Sequence, residues 1–256
     1  MNLLKITYLA LLCFSVHVRA QETHVIEPSN LEVRYKQTVE GRGKADFALR
    51  CGKNVSQYIC LYRLRQDSLD CSPDPVLQEL HFKEMDEYLE NDKDPEKRIP
   101  VAPDRSDYLY RNLNQGKISV YTSVFGSSYL VEDDIPVMDW TICEDSTMQV
   151  LGYECHKATT TFRGRTWTVW YTEEIPLSIG PWKFGGLPGL ILKTKCDGYV
   201  TIVACSVMTK SLTPVTFYNF YKEKYQKIDR VKYLKLRNDP SIYPAKVRLV
   251  PQMELE

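Results

Sequence analysis

Apolar and polar positions alternate over residues 31–39 (LEVRYKQTV), the period of a half-buried β-strand. The same signal marks 46–50 and 57–63, joined at Gly52-Lys53-Asn54. It returns over 108–113, 118–124 and 129–132, with turns at Asn114-Gln115-Gly116 and near Gly126, while Asp145-Ser146 reads as the start of a further turn. The clearest hairpin rises over 150–162, turns at Arg163-Gly164 and returns over 165–172. On the return strand Trp167, Val169 and Tyr171 share one face, and Thr166, Thr168, Trp170 and Thr172 the other. Aromatics on both faces predict a strand that is central or covered on both sides. Around Asp197-Gly198, 190–195 and 199–207 form another hairpin whose two-residue turn sets Cys196 opposite Tyr199.

The period changes twice. After Pro73 and Pro75, Val76, Leu80, Met85 and Leu89 fall roughly at helical spacing, with an acidic opposite face. The stretch 72–103 therefore predicts a helical insertion, too short to bury a core of its own. From Pro214, the residues Phe217, Phe220, Tyr221, Ile228, Val231 and Leu234 predict an amphipathic C-terminal helix ending at Asn238-Asp239-Pro240. Its lysines are a solvated face, and its apolar side packs on the sheet. The expected fold is α+β: a mainly antiparallel, curved sheet with a helical insertion and a C-terminal helix, in one domain over 21–256.

Between the two hairpins lies Gly180-Pro181-Trp182-Lys183-Phe184-Gly185-Gly186-Leu187-Pro188-Gly189-Leu190-Ile191-Leu192. Its Gly/Pro content makes it a loop, yet its side chains are those of a core. It is expected to fold into the open end of the sheet, as a packing plug or as a grip on a ligand or partner. Trp170, Trp182, Phe184 and Leu187 are the candidate binding residues. Arg163 and Arg165, with Lys183, offer charge to a carboxylate or phosphate, unless they are simply solvated hairpin-end cations.

The first twenty residues carry Lys5, an apolar stretch through Leu9, Leu11, Leu12 and Phe14, and Val18-Arg19-Ala20, the pattern of a cleaved secretory leader over 1–20. The expected location is therefore periplasmic or secreted, with no transmembrane segment after cleavage. Basic and acidic residues balance at 33 each, which excludes the basic footprint of a nucleic-acid binder. Of eight cysteines, Cys13 leaves with the leader, so an odd number remains and at least one thiol is unpaired. No C-x-x-C pair calls for a metal, and no cofactor is expected. Neither G-x-S-x-G nor H-E-x-x-H occurs. Cys155 and His156 are neighbours on one strand and point to opposite faces.

Trp140, 152–158 (GYECHKA), 162–165 (FRGR), 170–172 (WYT), Ile175-Pro176, Gly180-Pro181 and 186–191 follow in order. In this the chain resembles the GLPGLI family of exported Bacteroidota-type proteins, whose name Gly186, Leu187, Pro188, Gly189, Leu190 and Ile191 spell. The resemblance implies export and assigns no catalytic residue. The strand order also resembles the open half-barrel of periplasmic lipoprotein carriers. The expected function is non-enzymatic: an envelope protein that binds a hydrophobic or peptide-like ligand, or an envelope partner, beside a sheet concavity. A ligand version requires an apolar cavity of roughly a few hundred Å³. The alternative is a periplasmic hydrolase using carboxylate or Cys155 chemistry.

Overall fold

A computed structural model describes residues 22–41, 43–91, 107–124, 126–243 and 252–256. Two meanders build one sheet. The first comprises β2 (Leu31–Val39), β3 (Gly43–Cys51), β4 (Val55–Cys60), β5 (Tyr108–Asn112), β6 (Lys117–Val124) and β7 (Ser127–Asp134). The second comprises β8 (Thr141–Val150), β9 (Tyr153–Phe162), β10 (Arg165–Thr172), β11 (Leu190–Cys196) and β12 (Val200–Met208). β2 and β12 pair antiparallel and join them. A short β14 (Gln226–Ile228) adds parallel to β7, giving the order β14-β7-β6-β5-β4-β3-β2-β12-β11-β10-β9-β8 among the described residues. β1 (His24–Glu27) and β13 (Val215–Phe217) form a separate pair. The large sheet is open, with β14 and β8 at its edges.

The sheet curls strongly. β7 and β9 are each second from an edge, nine strand spacings apart. At about 4.8 Å per spacing a flat sheet would separate them by roughly 43 Å. Yet Arg163, in the β9–β10 turn, reaches Asp133 of β7 at 2.5 Å. The concave face holds the core, where Val33, Tyr35, Phe47, Leu49, Trp167 and Val169 are almost wholly buried. Tyr35 satisfies its buried hydroxyl by donating to the Ile191 carbonyl at 2.8 Å.

Several expectations shift. The insertion begins at Leu61, where β4 passes directly into α1 (Leu61–Asp70) and then α2 (Pro75–Asn91), so 61–63 is helix and not strand. Its expected continuation over 92–103 lies outside the described residues. Asp145-Ser146 is no turn but part of a bulge: Cys143 pairs with Lys157, and the next pair is Thr147 with His156. Val150 ends β8, and Leu151-Gly152 makes the turn before β9. The Asp197-Gly198 hairpin has a three-residue loop closed by Tyr199 N to Cys196 O at 3.1 Å, so Cys196 faces Val200 instead of Tyr199.

The C-terminal helix, α3, spans only Arg230–Arg237. Asp229 caps it, accepting from the amides of Val231 and Lys232. Upstream, Pro214 leads into β13, and Phe217 joins Tyr108, Tyr110 and Tyr121 in an aromatic cluster distinct from the main core. Tyr121 stands edge-on to Phe217 at 4.9 Å and to Tyr225 at 4.9 Å. Burying those rings against the sheet overrides the helical spacing of their sequence.

Candidate functional site

The connector between β10 and β11 doubles back on itself. Ile179 bridges Gly185, the Gly180 amide donates to the Phe184 carbonyl at 3.1 Å, and the Phe184 amide to the Pro181 carbonyl at 3.2 Å. This tight turn drives Trp182 and Phe184 inward, to 9% and 0% exposure. Phe184 lies 4.9 Å from Trp167 and 5.2 Å from Trp182, both edge-on, and Trp182 lies 5.7 Å from Phe162. Such ring pairs add about 0.5–1.5 kcal/mol each beyond burial.

Two polar groups pin the connector from outside. Arg111 of β5 donates to the carbonyls of Lys183 and Phe184 at 2.8 and 2.9 Å, and burial lowers its pKa to about 10. Trp140 donates its indole N–H to Gly185 O at 2.9 Å. The glycines of 186–191 have separate reasons. Gly186 sits at φ +89°, and a Cβ on Gly189 would collide with the Thr172 carbonyl. The run is a buried plug.

The plug nearly fills the concavity. What remains beside Phe47, Tyr58, Leu109, Trp182 and Met253 is a cavity of about 50 Å³. That is room for one or a few waters and far below the volume of a ligand pocket.

Arg163, Arg165 and Lys183 do gather around a segment of the chain itself: Arg163 and Lys183 face its carboxylate, and Arg165 holds its main chain. Segment 252–256 lies across the mouth of the concavity, with Gln252, Met253 and Glu254 buried. Met253 occupies the cavity wall at 2% exposure. Glu254 pairs with Lys183, and with Arg230 at 3.2 Å. Arg163 stands 4.0 Å from Glu254 and also binds Asp133, which Arg230 approaches at 3.3 Å. Burial pushes the Glu254 carboxyl up, but Lys183, Arg163 and Arg230 outweigh it and hold its pKa below the ordinary value.

The segment's main chain is held as well. Arg165 donates to Gln252 O through Nε at 2.9 Å and Nη2 at 2.7 Å, with its guanidinium 4.0 Å from the Tyr199 ring centroid. The Leu255 amide donates to Arg163 O at 3.0 Å, and Arg230 donates to Glu256 O at 2.6 Å. The seat thus reads one apolar side chain, one carboxylate and a stretch of backbone.

Trp182, Phe184 and Leu187 are all buried in the main core, and Arg163 and Arg165 stand around segment 252–256. Trp170 does not join them. It faces the opposite side of β10, half-exposed, with Lys193 Nζ 4.6 Å from its ring centroid. β10 is paired on both sides, by β9 and β11, so it is an interior strand, and its second face is partly covered, with Thr172 buried, Trp170 half-buried and Thr166 exposed. Sequence reasoning missed Arg111, Arg230 and Glu254, whose partners lie far along the chain.

Cys155 is fully buried, and burial pushes its thiol up to about 11, the wrong direction for a nucleophile. Cys51, Cys71, Cys143, Cys155, Cys196 and Cys205 carry free thiols. Among the described residues, no group of three or more His, Cys, Asp or Glu is placed to hold a metal, and no helix is long and apolar enough to cross a membrane.

Residues 131–235 match the family model described as N-glycanase peptide, N-terminal domain. No curated protein sequence matches the chain. Two crystal structures of PNGF-II resemble it. The P21 form aligns with a TM-score of 0.53 at 16% identity, over 84% of this chain and 33% of that one. The C2 form gives 0.52 at 16% identity, over 84% and 32%. A LolA superfamily protein from Nitrosomonas europaea aligns at 0.24 and 7% identity, over 73% and 88%. The PNGF-II likeness concerns the fold, and this chain spans about a third of the length of those structures.

Proposed function

We infer that the chain is an exported, non-catalytic module of the cell envelope that docks a protein partner, and that residues 186–191 mark it as a GLPGLI-type protein. One observation carries this reading: the mouth of the concavity holds a peptide segment, 252–256, while the interior has only about 50 Å³ left. Arg163, Lys183 and Arg230 around Glu254 supply the charge, and the cavity wall around Met253 supplies the apolar contact. A surface built this way suits a peptide-like occupant better than a small hydrophobic molecule.

The test is native mass spectrometry of the full chain purified from the envelope fraction of its own organism. A stoichiometric protein adduct is expected. Recovery of the bare chain alone, or of a chain loaded with a small lipid, would count against partner docking.

A second reading, direct participation in N-glycan removal, is favoured by the N-glycanase family match over 131–235. It is assayed by release of N-glycans from a denatured glycoprotein. Our reading expects none from this chain alone.

A further inference from the structure

Two buried charges lie near α1, on the outer side of the sheet, and they differ in how far they are satisfied. Asp67 accepts from Arg63 at 2.9 Å, from Tyr108 at 2.6 Å and from Tyr221 at 3.2 Å. Arg50 is less complete. It shares a face of β3 with Ala48, outside the main core, and is 3% exposed. Its Nε donates to Glu32 at 3.3 Å, and Nη1 donates to Gln57 Oε1 at 3.4 Å and to the Tyr218 hydroxyl at 2.8 Å. Nη2 makes no hydrogen bond among the described residues.

Charge is unbalanced at the same place. Glu32 is itself buried and is shared between Arg50 and Arg34, so one carboxylate faces two guanidiniums. Tyr218 accepts from Arg50, and its own hydroxyl proton has no acceptor among the described residues. A spare guanidinium N–H beside a spare O–H matches a carboxylate. Both residues line a cleft of about 460 Å³ between α1 and the stretch 213–220. Leu61, Leu64, Leu69 and Phe220 form the apolar part of its lining. That volume is within the range of small-molecule sites, roughly 300–1,000 Å³. Arg65 stands at the same cleft but is taken up by Glu84, at 3.1 and 2.5 Å, which leaves Arg50 as the available cation.

We propose that this cleft binds an amphiphilic monocarboxylate, its acid group on Arg50 Nη2 and the Tyr218 hydroxyl and its hydrocarbon body against Leu61, Leu64, Leu69 and Phe220. The excess of one positive charge favours a monoanion over a neutral alcohol or an ammonium ion. The leucines and Phe220 give a hydrocarbon body a gain that a bare inorganic anion lacks. The cleft shares no residue with the seat of 252–256, and the inference is independent of partner docking there. A chain recovered with a protein adduct and one small acid satisfies both.

The test titrates octanoate, octanol and octylammonium calorimetrically into the full chain, each below its micellar concentration. Octanoate is expected to bind at least about tenfold more tightly than octanol, and octylammonium no better than octanol. Arg50→Gln should bring octanoate and octanol to near parity. Leu64→Glu, at the half-buried apolar wall, should weaken octanoate at least about tenfold with circular dichroism unchanged. Absence of octanoate binding, equal affinity for octanoate and octanol, or binding unaltered by Leu64→Glu would each overturn the proposal.

Tighter binding of N-acetyl-leucyl-leucine than of octanoate would assign the cleft to the end of a protein chain and would equally overturn it. If the variants fail to fold, the unaltered chain decides. An octanoate analogue bearing a diazirine at its far end is photolysed on it, and labelling within 61–69 or 213–220 is expected. Labelling confined to other peptides would place the acid elsewhere and sink the inference, while leaving partner docking at the mouth untouched.

Discussion

Arg163 and Asp133 form an ion pair at 2.5 Å although one lies in the turn that follows β9 and the other on β7, strands next to opposite edges of one open sheet. The pair is a clasp across the mouth of a curled sheet, and Glu254 and Arg230 extend it. Replacing Arg163 by Ala leaves Asp133 and Glu254 partly uncompensated. The expected cost is about 1–3 kcal/mol in urea unfolding, between the values for exposed and buried pairs. A double-mutant cycle with Asp133→Ala should return a coupling of at least about 0.5 kcal/mol. Additivity would mean that the clasp is an incidental contact.

Trp182, packed on Trp167 of the inner face of β10, and Trp170, on the outer face, predict different outcomes. Trp182 belongs to the packed plug, so Trp182→Ala should cost about 3–5 kcal/mol. Trp170 is half-exposed beside Lys193, and Trp170→Ala should cost no more than about 1 kcal/mol. Chemical denaturation of both variants checks this, and comparable losses would place Trp170 in the core.

Gly189 separates steric need from mere conformational preference. A methyl group there meets the Thr172 carbonyl, which is strand backbone and cannot swing aside. At Gly116 a methyl meets nothing within 4 Å, although φ is +62°. Gly116→Ala should cost about 1 kcal/mol and Gly189→Ala clearly more, measured as the shift in thermal midpoint.

The sign of the pH dependence at the seat follows from Glu254. Its folded pKa is below the ordinary 4.5, so the folded state holds this proton less tightly than the unfolded state. Its stabilisation is full above the unfolded value and drains as pH falls through the folded one. Asp67 works oppositely. Burial, outweighing Arg63, raises its pKa, so its contribution declines as pH rises through that range. Unfolding free energies at pH 7 and pH 3 should therefore be compared between the unaltered chain and Glu254→Gln. The unaltered chain is expected to lose more on acidification, and an identical loss would mean that Glu254 is not paired.

Thiol reactivity tests the hydrolase alternative. Cys155 is buried with its pKa raised, while Cys205 is exposed. Iodoacetamide at neutral pH is expected to modify Cys205 and spare Cys155 in peptide maps. Rapid labelling of Cys155 would reopen the thiol reading.

Legibility followed the range of the interactions. β2 was readable to the residue because Leu31, Val33, Tyr35 and Val39 recur at period two on its buried face, with Gln37 the one polar residue among them. The Asp197-Gly198 hairpin slipped by one position because Tyr199 completes a three-residue loop, a choice local composition leaves open. The stretch after Pro214 carries helical spacing, but Phe217 packs on Tyr110 and Tyr121, residues about a hundred positions away. The plug announced itself through Trp182, Phe184 and Leu187 in a glycine-rich loop. The seat was half legible. Arg163, Arg165 and Lys183 were visible as cations, whereas Glu254 lies 71 positions from Lys183 and nothing in its own neighbourhood points back.

A disulfide trap tests the central claim most directly. A Cβ built on Gly164 lies 3.0 Å from Leu255 Cβ, about 0.5 Å inside the lower end of the usual disulfide range, so a small opening of the contact admits the bond. The full chain carrying Gly164→Cys and Leu255→Cys should form this bond on mild oxidation, found as one cross-linked peptide by mass spectrometry. Oxidation that instead pairs either new thiol with Cys205, or leaves both alkylatable, would contradict a resident segment across the mouth of the sheet.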